Sequence, residues 1–263
     1  MSENEAVLGV ILARGGSKRV YKKNIKMLGN KPLVAWTIEA AKGAKMLDYF
    51  LVSTNDEEIM KISKDWGAPV PFKRPEKISE DVDSIHPTIH AIQKYETYLD
   101  SGRWDLPLKT AAQHTIGYVV ILQPTSPFRT SADIDECVRI AKTTGVDAVI
   151  SFKKSSESPY WMFMLKEYGH EMQSFMPEIE LEGDNLVIQN LPTVFYPNGA
   201  VYVLKRDVAL KGQIYEGNRI YGYIMPEERS IDLETECDFM HAEAMIPYLQ
   251  QKDPHTIKSW VIS

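Results

Sequence analysis

The sequence predicts an α/β fold, a mostly parallel sheet with helices on both faces, on three observations. Short apolar runs alternate with stretches of helical spacing from residue 6 to residue 152. The runs are rich in Val, Ile and Leu and lack polar alternation, as strands buried on both faces do. Strand, helix, strand, helix in that order is the arrangement that builds a parallel sheet between helical layers.

Residues 6–12 read as the first buried strand. A polar loop, 13–31, follows, and Pro32 opens a helix in its favoured first-turn position. There Leu33, Trp36, Thr37, Ala40 and Ala41 recur at core-facing spacing. Residues 48–53 form the second strand. Asn55 with Glu58 has the spacing of a helix N-cap pair, for a helix that Gly67 stops after Trp66. Residues 70–72 are a short extended piece, and 84–99 are helical, with Pro87 tolerated in the first turn. Residues 101–115 read as loop. Residues 117–122 are the clearest buried strand, Thr130 or Ser131 caps the next helix to about Thr143, and 148–152 are another strand.

From residue 153 to residue 196 the alternation stops. Tyr160, Trp161, Met162, Phe163, Met164 and Phe175 lie among charges there. The stretch reads either as an inserted arm or oligomer contact, or as an irregular hairpin covering a sheet edge. Residues 200–204 and 219–224 are returning strands, and 234–249 are a final helix. With no repeat, low-complexity segment or linker, residues 1–263 are expected to form one domain with 153–196 as the inserted arm.

Of the 263 residues, 44% are hydrophobic and 25% charged, the composition of an ordinary soluble globule. The longest apolar runs are far short of the ~20 residues that span a bilayer. The acidic start, residues 1–5, does not read as a signal peptide. Cys137 and Cys237, without a CxxC pair, suggest reduced thiols in a cytoplasmic protein. A net charge of -6 argues against broad nucleic-acid binding. No membrane or nucleic-acid partner is expected.

The charge is unevenly placed. Between Glu5 and Glu39 there is no acid, while Arg14, Lys18, Arg19, Lys22, Lys23, Lys26 and Lys31 fall together after the first strand. That is the carboxyl edge of the sheet, where ligands of open α/β folds bind. Gly15 and Gly16 let backbone approach a ligand and turn N–H groups toward an anion. Together they read as a polyphosphate cradle rather than a solvated basic loop. Asp232 and Glu234 flank Leu233, so in an extended chain both carboxylates point the same way. Such hard oxygens suit magnesium, although the same pair also reads as a solvated edge before a helix. Glu236 and Asp238 suit the first turn of that helix. His86 and His90 are four apart, but no third ligand accompanies them. The chain has no GxxxxGK[ST], GxGxxG or GxSxG, which disfavours P-loop NTPases, dinucleotide dehydrogenases and α/β-hydrolases.

Several segments together resemble the cytidylyltransferases that make CMP-activated nonulosonic acids, the CMP-N-acetylneuraminate synthetases and their legionaminic-type relatives. They are Leu12-Ala13-Arg14-Gly15-Gly16-Ser17-Lys18 with Lys23-Asn24, Val52-Ser53-Thr54, Arg74-Pro75 with Asp81 to Ser84, Leu122-Gln123-Pro124-Thr125-Ser126-Pro127 with Arg129, Pro197-Asn198-Gly199-Ala200, and Ser230-Ile231-Asp232 with Thr235-Glu236. The resemblance implies a three-layer αβα, Rossmann-like nucleotidyltransferase fold with an inserted dimerisation arm. It implies that CTP binds along Leu12 to Lys18, with Arg14, Ser17, Lys18 and Lys23 on the phosphates and Asn24 on the ribose or α-phosphate. Arg74, with the backbone near Asp83 and Ser84, would read the cytosine. Gln123 would lie between nucleotide and sugar. Thr125, Ser126, Arg129, Tyr196 and Asn198 would form or support the pocket for a 2-keto sugar acid. Asp232 would hold magnesium, with Glu234 as second ligand, and Arg14, Lys23 and Asp232 would serve catalysis. A homodimer is implied.

The chain departs from the family at Glu234, where Asp is usual, at Tyr196, where sialic acid enzymes carry Arg, and at Tyr21, where proline is common. The first makes the second metal ligand one methylene longer. The second bears on how the sugar carboxylate is met. A transferase for another nucleotide or sugar, and a non-catalytic nucleotide-binding module, are the alternatives that the residues leave open.

Overall fold

The computed structural model describes residues 5–79, 84–100, 115–166, 170–177, 187–215 and 217–252. Strand β1 (Glu5–Leu12) runs into a loop that closes with a small hairpin, β2 (Met27–Leu28) and β3 (Lys31–Pro32). Helix α1 (Leu33–Gly43), strand β4 (Tyr49–Ser53) and helix α2 (Glu57–Asp65) follow. Then come α3 (Ile85–Asp100), β5 (Thr115–Leu122), α4 (Ser131–Thr144) and β6 (Ala148–Lys154). The chain continues through β7 (Phe163–Leu165), β8 (Met172–Ser174), β9 (Phe195–Lys205), α5 (Arg206–Lys211), β10 (Ile220–Ile224) and α6 (Glu236–Lys252).

Six strands form the main sheet in the order β10-β6-β9-β5-β1-β4. β1 pairs parallel with β4 and β5, and β10 pairs parallel with β6. β9 is antiparallel to both of its neighbours. The alternation of side chains across the pleat divides the core. On one face Val7, Ile11 and Val120 pack against Val34 and Ile38 of α1 and Ile134 and Val138 of α4. On the other, Leu8, Val10 and Ile121 meet Ile85, Ile92 and Tyr95 of α3 and Ala209 of α5. The three layers are those expected. A satellite cluster seats α6 through Phe239, Ala242 and Leu249 on Leu28, Trp36 and Phe128.

Chain order places β4 on one side of β1 and β5 on the other. The loops after β1 and β5 therefore diverge and leave a crevice at the carboxyl edge of the sheet.

The structure adjusts several boundaries. The stretch read as loop, 13–31, contains a 3-10 turn, Lys23–Ile25, and enters the β2–β3 hairpin. Pro32 is the N-cap of α1 rather than its first turn. Asp56, not Asn55, caps α2, accepting from the N–H groups of Glu58 and Ile59. β9 starts five residues before the expected position, because its first half pairs with the end of β6. The stretch 153–196 carries the β7–β8 hairpin, a separate two-stranded sheet. Among the described residues no helix is long and apolar enough to cross a membrane.

Candidate functional site

A cleft of about 510 Å³ opens where the strand order predicts it. One wall is the loop after β1, with Leu12, Arg14, Ser17, Lys18, Arg19, Lys23 and Asn24. The opposite wall is Arg74, Ile78, Ser79, Ser84 and Pro87, and the floor is Gln123, Pro124 and Thr125, with Glu234 at the rim. The structure thus brings together residues from four separated segments that the sequence singled out. Asp83 lies outside the described residues.

The loop after β1 leaves the sheet with Ala13 buried and its N–H donated to the Ser53 carbonyl at 3.1 Å. Gly15 is glycine because a Cβ there would stand 2.7 Å from an Asp56 carboxylate oxygen. Gly16 is uncrowded. The N–H of Gly15 is donated to Asn55 Oδ1 at 3.0 Å and that of Ser17 to the Gly15 carbonyl at 3.0 Å. The Gly15 and Ser17 N–H groups are thus engaged within the protein. Asn24 is buried, and its Nδ2 donates to the Arg14 carbonyl at 2.8 Å. It braces the backbone that carries Arg14. Its Oδ1 is buried with no hydrogen-bond partner among the described residues.

The seven cations divide by use. Lys31 is a core residue, 2% exposed, paired with Glu39 and held 4.2 Å over the Trp36 ring. Burial lowers its pKa, against the bond to Glu39 that raises it. Lys22 pairs with Glu58, and Lys26 with Glu236 at 2.7 Å. Lys23 donates to the Leu233 carbonyl at 2.9 Å and lies 3.3 Å from Glu234 Oε2, which also accepts from Arg19 at 2.9 Å. Arg14, Lys18, Arg19 and Lys23 are the four that line the cleft. Of the seven charges read as a polyphosphate cradle, four line the cleft.

Arg74 faces them. It is 3% exposed, its N–H is donated to the Thr54 carbonyl at 2.7 Å, and its Nε bonds to Ser79 Oγ at 2.9 Å. Burial, then the like charge of Arg14, pushes its pKa down to about 10. Ser79 was not foreseen, and it carries no motif signal. Its position follows from the turn after Pro75, whose carbonyl its hydroxyl also bonds.

Behind the floor residue Gln123, Gly199 of β9 adopts φ 74°, and a Cβ there would come 3.0 Å from Ser126 Oγ, 3.2 Å from Gln123 Oε1 and 3.8 Å from Asp232 Oδ2. The Pro197-Asn198-Gly199 stretch of β9 thus lets Gln123 and Asp232 converge. Leu233 N–H is donated to the Thr125 carbonyl at 2.8 Å, which fixes the Asp232-Leu233-Glu234 run against the β5 loop. Asp232 is open to solvent, yet the protein around it raises its carboxyl pKa by desolvation, helped by Glu234 and Asp238 and opposed by Thr125 and Lys23. Asp238, in the first turn of α6, accepts from the N–H groups of Glu234 and Thr235, and its own N–H is donated to Thr235 Oγ1.

Three residues expected to form or support the sugar pocket, Ser126, Asn198 and Arg129, are buried, with their side chains bonded inside the protein. Ser126 bonds the Asn198 carbonyl, and the Asn198 side chain bonds Ser151 and Ser230. Arg129 is 1% exposed and donates to the Ala200 and Gln123 carbonyls and to Thr37 Oγ1. Burial pushes its pKa down to about 9. These side chains hold Gln123 and Gly199 in place. Tyr196 is exposed, with Lys153 Nζ 4.9 Å from its ring.

A family model described as cytidylyltransferase matches residues 8–177. A CMP-N,N'-diacetyllegionaminic acid synthase of Legionella pneumophila is 31% identical over 255 residues, covering 93% of this chain and 98% of the relative. An N-acylneuraminate cytidylyltransferase of Escherichia coli is 30% identical over 95% of this chain, which spans 54% of that longer protein. Among solved structures, a CMP:2-keto-3-deoxy-manno-octonic acid synthetase complexed with CTP superposes with a TM-score of 0.63 over 93% of this chain and all of that one, at 14% identity. That likeness concerns the fold. With the family match over more than half of its length and a relative 31% identical across nearly all of both chains, this chain belongs to the cytidylyltransferase family.

Proposed function

We propose that the chain joins CMP from CTP to the anomeric hydroxyl of a nonulosonic, sialic-acid-like sugar acid and releases pyrophosphate, acting in the cytoplasm as a homodimer. The observation that carries this is the cleft itself. Arg14, Lys18, Arg19 and Lys23 face Arg74 across it, Gln123 stands on its floor, and Asp232, outside the lining, comes close to Gln123 beside Gly199. A triphosphate fits the four-cation wall, a base fits the Arg74 wall, and the α-phosphate then falls toward Gln123. The relatives named for legionaminic and N-acylneuraminic acid support the acceptor class.

In the reaction the sugar hydroxyl oxygen attacks the α-phosphorus. A new P–O bond forms, the bond to the pyrophosphate oxygen breaks in line, and the hydroxyl proton is released. Such chemistry asks chiefly for position and charge. Arg14 and Lys23 offset the charge that grows on the phosphates. Arg74 and Ser84 orient the cytosine, and Gln123 and Thr125 orient the acceptor between them, with Tyr196 and Lys153 further along β9 and β6.

The residues fit a magnesium ion held by one carboxylate. Magnesium takes one or two carboxylates and completes its shell with phosphate oxygens and water. Asp232 is solvent-open, and Glu234 and Asp238 crowd it with negative charge that a cation relieves. Glu234 is engaged by Arg19 and Lys23, and among the described residues no group of three or more acids, His or Cys is placed to hold a metal. When bound, magnesium neutralises the phosphates and polarises the α-phosphate.

The test is pyrophosphate release with each of the four nucleoside triphosphates and magnesium, against N-acetylneuraminate, legionaminate, pseudaminate and 3-deoxy-octulosonate. Turnover is expected with CTP and the first two. Turnover with another nucleotide, or calorimetric binding of CTP without turnover of any of these acids, overturns the assignment.

A further inference from the structure

The corner that follows β4 touches both walls of the cleft. Asn55 Oδ1 accepts the N–H of Gly15, in the phosphate-side loop, at 3.0 Å. Its Nδ2 donates to Glu76 Oε2, in the turn just after Arg74, at 2.7 Å. The residues beside it fasten the same two segments. Thr54 forms a parallel bridge with Lys73, and its carbonyl accepts the Arg74 N–H at 2.7 Å. Asp56 packs its side chain against the Cα of Gly15, leaving no room for a Cβ there.

We infer that Asn55 is a positioning residue that couples the grip on the triphosphate to the reading of the base. The inference rests on the nucleotidyl-transfer reading above. Capping does not explain Asn55, since Asp56 caps α2. An amide is the side chain that can accept at one end and donate at the other. An aspartate would keep the bond from Gly15 but would set its charge against Glu76. Because one rigid side chain spans the two loops, a displacement of the Arg74 turn is passed to the Gly15 backbone, which carries Arg14. Neither wall of the cleft then sets its geometry alone.

The experiment measures CTP affinity by calorimetry in the presence of magnesium, and KM for CTP and for the sugar acid, in four proteins: wild type, Asn55→Ala, Asn55→Asp, and Asn55→Asp combined with Glu76→Gln. Loss of one or two hydrogen bonds at a ligand wall corresponds to an affinity about tenfold weaker. Asn55→Ala and Asn55→Asp are both expected to show it, with KM for CTP rising in step and KM for the sugar acid unchanged. In the double variant the new amide donates to the new carboxylate, so the bridge is rebuilt with its polarity reversed. Affinity is expected to return to within about threefold of wild type. A merely structural side chain would not show that recovery. Wild-type affinity in Asn55→Ala overturns the inference, and so does a double variant no tighter than Asn55→Asp. If wild type proves to use another nucleoside triphosphate, the CTP reading fails. The same pattern of loss and recovery with that nucleotide still supports the coupling, and its absence overturns it.

Discussion

Lys23 is held by the Leu233 carbonyl, and its side chain is 12% exposed, so its ammonium is fixed in the cleft before any ligand arrives. A pre-placed charge is worth most where negative charge grows during the reaction. Lys23→Ala is expected to lower turnover of CTP by about 100-fold or more, read by pyrophosphate release, with little change in unfolding temperature. Unchanged turnover would remove the cation wall from the mechanism. Arg129 gives the opposite result. Its three hydrogen bonds are internal, and replacing it by Leu takes that donor from the Ala200 carbonyl and the Thr37 hydroxyl and leaves the Gln123 carbonyl only the Ser126 N–H. Relief from a buried charge offsets part of that loss. The lost bonds dominate, and Arg129→Leu is expected to cost about 3 kcal/mol in urea unfolding. The cluster of cations was legible in the sequence because like residues stand close together in the chain. Which cations serve the cleft was not. Lys31 reads like its neighbours, and only the distant ring of Trp36 and the carboxylate of Glu39 make it a core residue. Glu234 reads as half of an acid pair until the fold sets Arg19 and Lys23 beside it.

Helix α4 starts with a reciprocal cap: Thr130 accepts from the Asp133 N–H, and the Asp133 side chain accepts from the Thr130 N–H. Asp133 is 1% exposed and also accepts from Arg229 at 2.6 Å and from the Tyr223 hydroxyl at 2.8 Å. Thr130→Ala is expected to cost about 1 kcal/mol, an ordinary cap loss. Asp133→Ala should cost about 3 kcal/mol, since it also takes the carboxylate from Arg229, which keeps only Thr130 Oγ1, and the acceptor from Tyr223, and denaturant midpoints will separate the two. Helix α3 carries a pH effect. His90 lies edge-on to Phe72, and burial, then the charges of Lys94 and Arg74, lower its pKa. The unfolded chain takes up its proton near the ordinary value of about 6.5, while the folded protein resists until lower pH. Stability is therefore full above that value and falls as pH drops through the lowered one. His90→Phe is expected to flatten the urea-midpoint profile below about pH 6.5, and a profile identical to wild type would exclude His90 as its source. At this scale the sequence was most legible. β1, β4 and β5 are local apolar runs, and the α4 cap is a local signal. The register of β9 was less so, because residues 195–199 become strand only by pairing with the end of β6. The cap of α2 shifted by one residue because Asn55 is drawn away by Gly15 and Glu76.

For the whole molecule, the sheet order makes the cleft, and the stretch after β6 determines what else the protein does with its surface. Phe163, Leu165, Met172 and Phe175 are each more than half exposed, on a hairpin of two three-residue strands. A two-stranded ribbon is marginal by itself in water, and contiguous exposed apolar side chains of this kind mark an interface. The reading of this stretch as cover for a sheet edge fits poorly, since a covering hairpin would bury one of its faces and all three residues of β7 are exposed. In the homodimer proposed above, a second copy of the chain presenting the same hairpin would supply that cover with a closed two-fold contact. Light scattering is therefore expected to give two chains per particle. Phe163→Ser together with Leu165→Ser should give one chain per particle while leaving the far-UV dichroism of the main sheet and helices and the binding of CTP nearly unchanged, since Gln123, Arg74 and Lys23 belong to other elements. A monomeric wild type, or a double variant that stays dimeric, would show that the hairpin's apolar surface serves something other than self-association.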